Sequence, residues 1–424
     1  MPSFPRITAG LALAVLATAV TACGGGQDGA GKAATVEIWV RQHAAGNLQS
    51  AAKAYNAKGG TQIKVTPVPN DDWVTKVTAA AGARRLPDIL SLDVVTLPQM
   101  IKQGIAGDIT DKVAALPFKD KLLPGHMRLA TVDGKTYAVP GGADVSALFY
   151  NKTLFKKAGL DPDQPPTNFA ELKEDAKKIT ALGDGVKGFY FSGNCTGCNA
   201  FTWMPVLWAG GGDLLSPDGK TATVDTPQVK AALKAYNDLW KSGDVPEDAK
   251  TDDGKNFSSA FTTGKVGMQA IGAFALPDYK AKFPDLDFGV APIPGVDGGQ
   301  GAFAGGDVLS ISSTSANPGP AWDFLTYFLS EEVQVEVLAK SGALVLRTDL
   351  AENAYAKQDP KVVQMNKLLA IAKTPKAVPY NELVNDVNGP FLSLVTQGMV
   401  GGDVDRTTAD VQARFTEILQ SDAG

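Results

Sequence analysis

Three observations predict an α/β protein of two lobes, each a mostly parallel sheet flanked by helices with a ligand cleft between them. Strand and helix patterns alternate from residue 35, two glycine-bearing stretches interrupt the alternation near residues 141 and 298, and 424 residues suffice for two large domains. In such sheets ligands sit beyond the carboxyl ends of the strands, at a switch in strand order.

The elements follow in order. Thr35 to Val40 alternates and is rich in β-formers, Gln49 to Lys58 reads as a helix, and Gln62 to Val68 as a second strand. Asp71 to Ala81 is a helix and Asp88 to Leu92 a strand, so Arg41-Gln42 and Asp93-Val94 fall just beyond strand ends. Gly141-Gly142-Ala143 precedes a strand at Ser146 to Tyr150, the first expected crossing. Helices are expected at Asn168 to Ala181, Gln228 to Lys241, Asn256 to Thr263 and Pro320 to Leu329, with an apolar segment at Phe201 to Ala209. Strands are expected at Lys265 to Ala270 and Val308 to Ile311, the latter just after the second crossing around Gly298 to Asp307. The expected division is 34–142 plus 305–344 for lobe one and 143–304 plus 345–424 for lobe two.

Residues 1–22 carry Arg6 ahead of the apolar run Ile7 to Ala22, the layout of a secretory signal and too short to span a bilayer comfortably. Val20-Thr21-Ala22-Cys23 resembles the lipobox of bacterial lipoproteins, which implies cleavage before Cys23, lipidation of its thiol (palmitate among the acyl chains) and tethering to the outer face of the cell membrane. Residues 23–33, glycine-rich and without core-forming side chains, make a flexible leash of roughly 15 to 20 Å.

Composition excludes several function classes. A formal charge of −5 gives no basic field for a nucleic-acid backbone, so no nucleic-acid partner is expected. Two histidines, His43 and His126, and three cysteines leave little for a metal centre, and neither metal nor cofactor is expected. Cys195-Thr196-Gly197-Cys198 matches a C-x-x-C pattern; outside the cytosol it reads as a structural disulfide, with a thiol-disulfide oxidoreductase as the alternative. Gly29-Ala30-Gly31-Lys32-Ala33 lacks the spacing of a phosphate loop. The 45 acidic residues give no specific pair for a glycosidase, which stays a second enzyme alternative. Trp39, Trp73, Trp203 and Phe274 lie near strand ends or loop junctions, where flat rings can meet the C–H face of a sugar; Trp240 and Trp322 read as core.

The body of the chain resembles family 1 of the extracellular solute-binding proteins of ABC importers, the carbohydrate-binding relatives of maltose-binding protein. The resemblance rests on Leu86-Pro87-Asp88-Ile89, on Gly134-Lys135-Thr136-Tyr137-Ala138-Val139-Pro140 and on Leu148-Phe149-Tyr150-Asn151-Lys152 through Leu160. Pro165-Pro166-Thr167, Phe261-Thr262-Thr263-Gly264-Lys265-Val266-Gly267-Met268 and Ser341-Gly342-Ala343-Leu344-Val345-Leu346-Arg347 extend it. It implies the type II periplasmic-binding-protein-like fold, a non-enzymatic monomer, and delivery of a mono- or oligosaccharide to permease subunits. The same fold binding a non-sugar solute is the near alternative. By position it implies sugar contacts from Arg41, Gln42, Asp93, Asp144, Phe274 in the slot of a stacking tryptophan, Gly306, Asp307 and Arg347, with Trp73, Asn194 and Trp203 as further cleft candidates.

Overall fold

The computed structural model describes residues 34–69 and 72–423. The signal, the Cys23 lipidation site and the leash lie outside the described residues.

Eight strands form one large sheet: β1 (Thr35–Arg41), β2 (Gln62–Val68), β3 (Ile89–Asp93), β4 (Val139–Asn151), β5 (Lys187–Tyr190), β6 (Val266–Gly272), β7 (Phe288–Ala291) and β8 (Ala304–Ile311). Their order is β2-β1-β3-β8-β4-β6-β5, with β7 also on β4. In β1 the alternation read from sequence sends Val36, Ile38 and Val40 into the core. Parallel pairing holds away from the crossings, for β1 with β2 and β3 and for β5 with β6. The pairs of β8 with β3 and of β4 with β8, β6 and β7 are antiparallel, because a chain that leaves one lobe and returns must run both ways there.

The 13-residue β4 is the link. Residues 139–145 pair with β8 on the β1–β3 side, and residues 146–151 pair with β6 and β7 on the other. Gly141 and Gly142, expected at the crossing but ahead of the strand, lie within it. The chain pairs so closely there that Gly306, at φ +104°, would drive a Cβ into the Gly142 carbonyl, so only glycine fits.

The helices expected near these positions form at Trp73–Gly82, Phe169–Thr180, Pro227–Lys241 and Pro318–Phe328. Asn168 and Thr226 cap two of them by accepting the amides of Glu171 and Val229. The first helix begins at Ala45, ahead of the expected Gln49. The helix expected over 256–263 is instead a set of turns ending in one 3-10 turn, Phe261–Thr263, closed by Gly264 at φ +70°. There the hydroxyls of Thr262 and Thr263 hold the carbonyls of Ser259 and Ala260 at 2.8 and 2.7 Å, an alternative to helical bonding.

The C-terminal segment Leu394–Val400 and the helix Val404–Ala423 pack on Pro227–Lys241, where the Asn237 amide donates to Met399 O at 2.9 Å. Just past the expected boundary at 344/345, Leu123 N donates to Leu346 O at 3.2 Å, and Leu346 N to the Gln334 side chain at 2.7 Å. Among the described residues no helix is long and apolar enough to cross a membrane.

Candidate ligand cleft

A cavity of about 940 Å³ opens where β1 and β3 end, β8 begins and β4 crosses. One wall carries a charged group. Arg41, the last residue of β1, donates Nη1 to Asp93 Oδ2 at 2.8 Å and Nη2 to Asp307 Oδ1. Asp93 ends β3 and stands directly opposite Asp307 of β8 in the antiparallel register. Ser91 Oγ donates to the remaining Asp307 oxygen at 2.7 Å. Thus three adjacent strands present Arg–Asp–Asp to the cleft from one sheet edge, with the cation paired twice. Burial pushes the Asp93 carboxyl up, Arg41 opposes this, and the Asp307 charge reinforces it.

Behind this wall His126 is fully buried, with Nε2 2.9 Å from Gly305 O. A carbonyl only accepts, so the proton sits on Nε2. Burial holds the ring down at about 4, so it is neutral at pH 7.

Asp144, on the crossing strand β4, is half-buried in the cleft wall. Its Oδ1 accepts the amides of Val145 at 2.9 Å and Phe274 at 3.2 Å. Burial raises the carboxyl to about 7 even though these amides favour the charged form. Beside it the Phe274 ring, 50% exposed, faces Phe257 at 6.4 Å between centroids. Phe201 and Phe303, 5.2 Å apart, continue the apolar surface, and the Cys195–Cys198 disulfide completes it at the start of the helix Thr196–Ala209. Among the described residues three carboxylates, one guanidinium and the His43 imidazole line the cleft, and no lysine does.

Of the residues expected in the site, the structure brings together Arg41, Asp93, Asp144, Phe274, Gly306 and Asp307. Gln42 is exposed in the turn after β1 and does not line the cleft, nor does the exposed Asn194, whose amide donates to Asp252 O at 3.0 Å. Trp73 is buried in its helix, and Trp203 is wholly inside the core with Nε1 donating to Ala232 O at 3.2 Å. Trp39 lies on the sheet under Lys76, whose Nζ stands 4.3 Å from its ring. Arg347 is buried elsewhere, bound to Asp349 at 2.6 Å and stacked on Phe118 at 4.3 Å. Arg347 precedes the 3-10 turn Thr348–Leu350, whose Asp349 claims its guanidinium, which the residue pattern alone does not reveal. Phe201, Phe257, Phe303, Tyr380, Asn47 and Asn385 line the cleft without having been singled out. Phe257 had been placed on a helix that does not form.

A family profile, bacterial extracellular solute-binding protein, matches residues 43–335. A putative binding protein of Brucella abortus (strain 2308) is 28% identical over 375 residues, covering 88% of this chain and 90% of its own. The diacetylchitobiose binding protein DasA of Streptomyces coelicolor is 25% identical over 98% of both chains. Among solved structures, the GacH receptor of Streptomyces glaucescens, determined unliganded and with acarbose, is 29% identical with a TM-score of 0.76, covering 92% of this chain and 99% of its own. The cyclic alpha-maltosyl-1,6-maltose binding protein of Arthrobacter globiformis is 26% identical with a TM-score of 0.79, covering 92% and 100%. The profile spans well over half of the sequence and the cleft it shares with the fold is in place, so this chain belongs to the bacterial extracellular solute-binding proteins.

Proposed function

We propose that this protein captures an uncharged mono- or oligosaccharide in the cleft and delivers it unchanged to the permease of an ABC importer, tethered outside the membrane through a lipid on Cys23. The observation that carries the reading is the lining itself: a half-exposed phenylalanine beside acceptor carboxylates. Sugars present C–H faces that pack on aromatic rings and hydroxyls that donate to carboxylates. The exposed Phe274 ring and its partner Phe257 offer the first, and Asp144 and Asp93 offer the second. A phosphorylated solute fits poorly, because the one guanidinium that lines the cleft among the described residues is already paired with Asp93 and Asp307. The relatives named for diacetylchitobiose, acarbose and a cyclic maltosyl sugar support the same ligand class.

Binding without bond-making is favoured over the enzyme alternatives by the family match and by relatives whose names are those of binding proteins. Capture then works through the crossings: β4 and β8 link the two sheet halves, and a ligand touching both walls shifts the population toward the closed form by its preference for that form.

The test is thermal stabilisation of residues 24–424 by mono-, di- and oligosaccharides, with amino acids, polyamines and a sugar phosphate as controls. At a hundred times the dissociation constant a ligand adds about 2.7 kcal/mol. That amounts to ~3 °C for a body this size at about 2.1 cal/mol/K per residue. A shift with a saccharide recovered intact supports the reading; a shift only with the phosphate, or cleavage of the sugar, overturns it.

A further inference from the structure

The cleft wall at residues 193–201 is tied down by more than helix packing. Cys195 caps the helix Thr196–Ala209, its Sγ accepting the Cys198 amide at 3.2 Å while bonded to Cys198 Sγ. Both cysteines line the cleft. Directly against the sulfurs lies Gly254, at φ +105°, where a Cβ would stand 3.0 and 3.1 Å from them. From Gly254 the chain turns at once, Phe257 N donating to Gly254 O at 3.2 Å, and places the Phe257 ring in the cleft facing Phe274. Asp252 fastens the same turn to the same wall: its carboxylate accepts Tyr190 OH at 2.8 Å and Asn256 N at 3.0 Å, and its carbonyl accepts Asn194 N at 3.0 Å.

A disulfide that closes so few residues removes little freedom from the unfolded chain compared with one spanning a long loop, so its effect is local. We infer that the Cys195–Cys198 disulfide and Gly254 are positioning elements of the cleft, setting where Phe257 stands against Phe274, and that opening the disulfide weakens saccharide binding while the fold persists. This rests on the saccharide reading above. In the opening step a dithiol reductant gives two electrons and two protons; the S–S bond breaks, both sulfurs become thiols, and the reductant closes to its own disulfide. Two thiols cannot stay at bonding distance and separate to a non-bonded contact of roughly 3.5–4 Å. Gly254 offers only backbone in their way, so the 252–257 turn shifts and carries the Phe257 ring with it.

The experiment compares the oxidised chain, the chain reduced with a dithiol, the Cys195→Ser/Cys198→Ser double variant and Gly254→Ala. Amide hydrogen exchange is followed in 193–201, 252–258 and 273–276, and affinity is measured for whichever of maltose, diacetylchitobiose, mannobiose and acarbose binds best. Faster exchange confined to those segments, a five- to fiftyfold weaker affinity with a cooperative melt retained, and recovery on reoxidation are expected. Unchanged exchange and affinity on reduction, or exchange that rises throughout the chain, overturns the inference. If none of the four sugars binds any form, the loss falls on the proposed function, and exchange alone decides whether the disulfide positions Phe257.

Discussion

Replacing Arg41 by methionine removes the one cation between Asp93 and Asp307 while keeping most of the stem volume. Asp307 is 2% exposed, so the variant leaves two carboxylates face to face across β3 and β8, one of them inside the protein. Removing one partner of a buried ion pair costs about 3–5 kcal/mol. With about 2.1 cal/mol/K per residue over the described body, this corresponds to ~4–6 °C in melting temperature if the lobes melt together. The penalty is charge repulsion, and it has a pH signature. Asp93, already pushed up by burial and by Asp307, goes higher without Arg41, so the variant's deficit shrinks as pH falls and Asp93 is protonated. Adding Asp307→Asn removes the repulsion directly and restores part of the loss at pH 8. Melting of wild type, Arg41→Met and the double variant at pH 5 and pH 8 checks this. A loss that is the same at both pH values and is untouched by Asp307→Asn would refute the electrostatic account of this wall.

Four further outcomes are expected. Phe274→Ala should lower saccharide affinity about tenfold in a titration while moving the melting temperature little, because its ring is half exposed and belongs to the cleft. Trp203→Ala should do the reverse: about 3–5 kcal/mol of stability is lost from the core, while affinity measured well below the melt stays within about twofold. Asp144 binds its proton more tightly folded than unfolded, a stabilising contribution that is complete below about pH 4 and fades as pH rises through 7. The melting temperature of Asp144→Asn relative to wild type should therefore climb from pH 5 to pH 8, and a flat difference would contradict the burial of this carboxyl. Gly306→Ala should cost about 1–3 kcal/mol or more by denaturant melting, from a strained φ and the encounter with the Gly142 carbonyl.

The sequence disclosed most where one local rule decides the outcome. The alternation from Thr35 to Val40 and the helix read from Asn168 needed only neighbours along the chain, and both formed, with Asn168 as the cap of its helix. Lys187–Tyr190 was not read as a strand, since four residues with a glycine carry no usable period and only pairing with β6 makes it one. In the site, Arg41 and Asp93 were legible because they stand at the ends of parallel strands, and Asp307 only through the family resemblance. Trp203 and Phe257 were misplaced in opposite senses. An aromatic residue in an apolar helix gives no local sign of which face meets a cleft, and the 252–257 turn is fixed by Asp252 contacts to residues some 60 positions away. Arg347 was lost to a carboxylate two residues along its own chain, a competition no spacing rule ranks.

The most direct test of the central claim is a calorimetric titration of the intact chain with the best saccharide from the panel and with a phosphorylated counterpart, repeated on Phe274→Ala. One molecule of unmodified sugar per chain, a heat-capacity change that is negative, binding weakened by the variant, and no measurable binding of the phosphate are the predicted results. Tighter binding of the phosphorylated compound, or sugar binding indifferent to Phe274, would contradict a cleft built for uncharged saccharides.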